Sequence, residues 1–141
     1  MAQPFESEEE LDALMARVKA CKVPNEEFSH RNHLAMAACT VFGGGTLEDI
    51  RATILALNEA NGVEQTQTGG YHETLTVAWH ALVKAHLASQ HEGTGRLAAV
   101  NSVLCALDDK RIILRHYSRD LIMSWDARTQ FVEPDLEPLP R

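Results

Sequence analysis

Histidine is the residue type most able to do chemistry in this chain, with seven in 141 residues. His30 and His33 stand three apart behind Ser29, and His72 opens a later run, His72-Glu73-Thr74-Leu75-Thr76. At about 100° per residue, His30 falls within about 40° of Leu34 and about 20° of Val41, and His72 about 20° from Trp79, so all three rings lie on apolar helical stripes. Ala37, one turn beyond His33, leaves room where a larger side chain would fill the interior. A histidine pair at i, i+3 with a third ring from a neighbouring helix can hold Zn, Fe, Ni or Mn. His30, His33, His72 and Glu73 are therefore the candidate metal ligands. His72 and Glu73 are the candidate catalytic pair, acting in acid/base chemistry or on a metal-activated water. Glu27, one turn before His30, can orient a ring from behind. Thr76 stands where HExxH needs its second histidine, which excludes that zinc-protease motif. Arg31, Tyr71, His116 and Arg119 are the candidate substrate contacts. Each of these groups also has a structural reading, as a ring satisfied by a carbonyl or, for Glu73, an acid in a helix's first turn.

The elements that must position them read as helices. Ser7 and Glu10 have the spacing of a capping box, and Leu11, Leu14, Met15 and Val18 follow at helical spacing, giving a helix over about 8–21. Ser29 caps a second over about 30–42, stopped by Gly43, Gly44 and Gly45. Thr46 and Asp49 form another box before a third helix that ends at Asn61 and Gly62. A Gln/Thr/Gly-rich loop leads to a fourth helix from near Tyr71, with Leu75, Trp79, Leu82 and His86 on its core stripe. On that stripe His72→Leu is expected to keep the fold. A fifth helix starts near Thr94 and runs through Leu107, and a shorter piece covers about 121–128. Pro134, Pro138 and Pro140 make 132–141 an extended tail. The expectation is an all-α, single-domain antiparallel bundle of about five helices, with its core over about 8–130. Alternating directions bring 23–33, 61–73 and 108–119 to one mouth, and these segments hold most of the unusual polar residues.

Composition bounds the function. Lys plus Arg is 13 and Asp plus Glu 20, a net charge of −7, so no broad basic surface is available for nucleic acid or anionic lipid. A hydrophobic fraction of 45% and a charged fraction of 23% describe a folding chain rather than a disordered one. Cys21, Cys39 and Cys105 show no CxxC spacing and read as reduced, mostly buried thiols. The acidic start from Met1 to Glu10 lacks a secretory pattern, and no run has the roughly 20 apolar residues of a membrane span. The expected address is the cytoplasm and the expected partner a small molecule, with a homo-oligomer left open.

The blocks Phe28-Ser29-His30-Arg31-Asn32-His33-Leu34, Gly69-Gly70-Tyr71-His72-Glu73-Thr74-Leu75-Thr76 and Ser118-Arg119-Asp120-Leu121 resemble a widespread family of small bacterial helical proteins of uncharacterised function. The resemblance spans about residues 10–140. It implies a bacterial source and one stand-alone helical domain, and carries no activity with it. Two functions are expected: a metal-dependent hydrolase or lyase on a small polar molecule, or a module that binds a small ligand or serves as an interaction subunit.

Overall fold

Side-chain oxygens set most helix starts in the computed structural model, which describes residues 2–141. Ser7 accepts from the Glu10 N–H and begins α1 (Glu8–Lys19). Ser29 accepts from Asn32 and begins α2 (His30–Phe42). Thr46 and Asp49 complete a capping box at α3 (Leu47–Ala60). α4 (Glu73–Ala88) is capped by the His72 ring, while α5 (Arg96–Leu107) begins at Gly95 with no side-chain cap of its own. Glu8 of α1 fills that gap, since its Oε2 accepts from the Leu97 N–H at 3.1 Å and its Oε1 from the Arg96 guanidinium. Thr94, the expected start, instead donates to the His91 carbonyl. Two short helices follow, α6 (Arg119–Ile122) and α7 (Trp125–Thr129), where the sequence suggests one. Single 3-10 turns cover Asn25–Glu27 and Lys110–Arg115. The chain is all-helical, with 61% of residues in helix and, among the described residues, no strand.

α2 is the central element. Leu34, Ala35, Met36, Ala37 and Ala38 are consecutive and all buried, which a helix allows only when it is covered on every side. Its small residues let α5, α4 and α3 approach closely. Around it a main core gathers Leu11 and Leu14 of α1, Ile50 and Leu57 of α3, and Val100 and Leu104 of α5. A smaller cluster of Ala78, Ile113, Tyr117 and Ile122 lies beyond α4, and Trp79 packs against both.

The buried face of α4 differs from the expected stripe. Thr74, Thr76, Ala78 and Val83 are buried, while Leu75, Trp79, Leu82 and His86 are half-buried. The threonines can take interior positions because their hydroxyls are bonded. Thr74 donates to the Gln130 carbonyl at 2.9 Å and accepts from the Val132 N–H at 3.1 Å, and Thr76 donates to the His72 carbonyl at 2.9 Å.

Past Gln130 the chain leaves helix and is stitched to residues 115–118. Leu136 donates to the His116 carbonyl, Glu137 to that of Arg115, and Asp135 accepts from the Ser118 N–H. Tyr117, wholly buried, donates its hydroxyl to the Val132 carbonyl at 2.7 Å. All three cysteines are free, with Cys105 exposed and the other two half-buried. No described helix is long and apolar enough to cross a membrane.

Candidate functional site

A cavity of about 720 Å³ opens between α2, α3, α4, the loop before α4 and the 110–128 segment. His30, His33 and His72, predicted to converge, all border it, as do Ala37, Tyr71 and Arg119. Three of the predicted residues lie elsewhere. Glu73 is turned away to α3, where Arg51 grips it with Nε at 2.9 Å and Nη2 at 2.6 Å and Tyr71 donates its hydroxyl at 2.5 Å. This ion pair holds the Glu73 carboxyl below its ordinary range. Arg31 lies over the Phe5 ring at 3.9 Å and donates to the Gln3 carbonyl, which fixes it to the N-terminal segment. His116 is buried and donates from Nδ1 to the Glu137 carbonyl at 3.0 Å. Glu27 is also displaced, because its 3-10 turn ends before α2 and its carboxylate pairs with Arg17.

The three cavity histidines are used differently. His72 has both nitrogens engaged: Nδ1 accepts from the Leu75 N–H at 3.1 Å and Nε2 donates to the Ile122 carbonyl at 2.7 Å. In this arrangement the ring has no lone pair left for a metal or a proton, which corrects its expected place as ligand and catalytic group. His30 donates from Nε2 to the Leu107 carbonyl at 3.1 Å, leaving Nδ1 as its lone pair. Its ring meets Trp79 edge to face, with centroids 4.7 Å apart. His33 stacks on Phe28 with centroids 3.7 Å apart. The rings of Phe28, His33, His30 and Trp79 thus give the cavity an aromatic wall of the kind that favours planar or apolar guests.

Burial sets their charge. It pushes His33 down to about 4, helped by the nearby His30 and Lys110. Burial also lowers His30, against the opposing pull of the Leu107 carbonyl, and lowers His72 and His80. At neutral pH this wall is therefore uncharged. Among the described residues, no group of three or more His, Cys, Asp or Glu side chains is arranged to hold a metal ion.

Positive charge enters the cavity from Arg119, an expected substrate contact, and from three residues the sequence reading passed over. Lys110 and Arg111 come from the 3-10 turn, Arg119 from α6 and Arg128 from α7, while no described Asp or Glu borders the space. Arg111 is tied to Asp109 at 3.0 Å. Lys110, Arg119 and Arg128 have no ion-pair partner among the described residues. The signal for Lys110 and Arg111 was their place in the third mouth segment. Arg128 gave none, since only the packing of α7 on α4 brings it there. A comparison with protein-family models, curated proteins and solved structures finds no match to this chain.

Proposed function

We propose that the five long helices form an antiparallel bundle and that the cavity at one end binds a small organic anion with an apolar body, making the protein a small-ligand-binding module. The bundle reading rests on contacts between α2 and α5: His30 at the start of one bonds to Leu107 at the end of the other, and Cys39 near the end of α2 feels the charge of Arg96 at the start of α5.

The single observation that carries the functional reading is the charge of the lining. In a chain of net charge −7, four cationic side chains and no described carboxylate border this one space. Arg111 is neutralised by Asp109, but Lys110, Arg119 and Arg128 have no acid paired with them among the described residues, and an anionic guest offsets their mutual repulsion. The apolar and aromatic remainder of the wall, with Leu34, Ile50, Leu75 and Trp79, supplies the burial that gives a small ligand most of its affinity. The volume lies within the range of about 300–1,000 Å³ usual for such sites.

The test is a matched pair of probes, 4-phenylbutanoate and its uncharged amide, titrated calorimetrically into the protein. The acid is expected to bind at least about tenfold more tightly, with the preference shrinking as salt is raised. Equal binding of acid and amide would sink the reading.

A further inference from the structure

Arg128 stands apart from the other cavity cations. Lys110, Arg111 and Arg119 are exposed, whereas Arg128 is half-buried. Its Nη1 donates to the Gly70 carbonyl at 3.2 Å, and its Nε is buried with no hydrogen-bond partner, the single buried side-chain nitrogen or oxygen of the described residues left in that state. No described residue accepts from Nη2 either. An orphaned buried donor on a charged group is destabilising, and the fold does not satisfy it from its own atoms.

The anchor at the other end is rigid. Gly70 has φ +89°, and a Cβ there would lie 2.8 Å from both Gln65 Oε1 and the Glu64 carbonyl. The same Gln65 side chain bonds to both the N–H and the carbonyl of Tyr71, each at 2.9 Å. The carbonyl that holds Nη1 is therefore fixed by a braced turn. Arg128 borders the cavity, and with its guanidinium held at one corner only, the Nε–Nη2 edge has no acceptor among the described residues.

We propose that this edge is the seat of the ligand's charged group and that the group is a monocarboxylate, gripped by two parallel N–H bonds. The assignment rests on the anion-binding reading above and names its chemistry. The side-on edge of a guanidinium matches the spacing of two carboxylate oxygens. The neighbouring rings of His72, His30 and His33 are neutral at pH 7, so the guanidinium edge is the charged donor pair beside them. Its two donors match the two oxygens of one carboxylate, whereas the third oxygen of a phosphate finds no donor on that edge. The apolar body of the acid then lies along the Phe28–Trp79 wall.

The experiment uses 4-phenylbutanoate, its amide and phenyl phosphate against the wild type, Arg128→Lys, Arg128→Gln and a Lys110→Gln/Arg119→Gln double variant, each checked for native circular dichroism. Arg128→Lys keeps the charge but loses the paired edge, and it should weaken the acid by about tenfold without changing the amide. Arg128→Gln should erase the preference for acid over amide. The double variant should weaken the acid by less than Arg128→Gln does and keep part of its preference over the amide, since exposed cations act on the anion through screening solvent. In the wild type, nitrogen-15 NMR of the Arg128 Nε–H should move downfield when the acid is added, a readout that needs no variant. Unchanged binding in Arg128→Lys, an unmoved Nε–H signal, tighter binding of phenyl phosphate than of the acid, or loss of the preference in the double variant would each overturn the assignment while leaving the cavity an anion site. A wild type indifferent to acid and amide overturns both.

Discussion

At position 72 one imidazole both caps a helix and ties two segments together. The sequence placed His72 on an apolar helical stripe, but the residue is the extended N-cap just before α4, and angular position says nothing about which nitrogen meets which backbone group. His72→Leu, tolerable on a stripe argument, instead removes the cap of α4 and orphans the Ile122 carbonyl. The expected cost is about 2–3 kcal/mol, seen as a fall in Tm of roughly 5–10 °C by calorimetry. His33 leads to a pH effect. Its folded value, about 4, lies below the unfolded 6.5, so the unfolded chain takes up a proton first as pH falls. The stability is whole above about 6.5 and is lost on the way down to about 4, by an amount on the order of 1–3 kcal/mol. The lowered values of His30, His72 and His80 act in the same direction. Denaturant midpoints measured from pH 7 to pH 4.5 should fall, and His33→Phe, which keeps the stack on Phe28, should flatten part of that slope. A midpoint independent of pH over this range would contradict the buried neutral ring.

At the scale of elements, α2 and α3 were legible almost to the residue because their punctuation is local: Ser29 and the glycine triplet bound one, the Thr46–Asp49 box and Asn61 the other. The faces of α4 were less so. Hydrophobic spacing ranks Leu75 and Trp79 above Thr74 and Thr76, yet the threonines are the buried ones, because Gln130 and Val132 from outside the periodic window bond Thr74 and the His72 carbonyl one turn back bonds Thr76. Thr74→Val therefore tests whether the element is positioned by those bonds. It preserves shape and apolar content, so a packing account predicts no loss. The bonding account predicts a loss of about 1 kcal/mol, since the hydrogen bonds to the Gln130 carbonyl and the Val132 N–H are removed. Urea unfolding of the two proteins separates the accounts.

For the whole molecule, net charge and local charge point in opposite directions. The total of −7 was a sound argument against a broad basic surface, but it averages over the chain and cannot reveal a small region of opposite sign. Lys110, Arg119 and Arg128 come from three successive short elements, and they share a space only after the 110–115 turn and α7 pack on α4. His30, His33 and His72 all border one cavity. The company they keep was set by two helices of four and five residues, too short for periodicity to resolve.

The join between α1 and α5 bears on the order in which the chain acquires its structure. Phe5 and Asn101 exchange two hydrogen bonds of 2.9 Å across 96 positions, and Glu8 serves the start of α5 across 89. During synthesis the first helix can pack on α3 once residue 60 has emerged, but its Glu8 carboxylate stays unemployed and the rest of its apolar face uncovered until α5 exists. Such long-range closure slows folding and leaves the nascent N-terminal half dependent on transient cover, so the interval before residue 101 leaves the ribosome is the period of greatest exposure to misassociation.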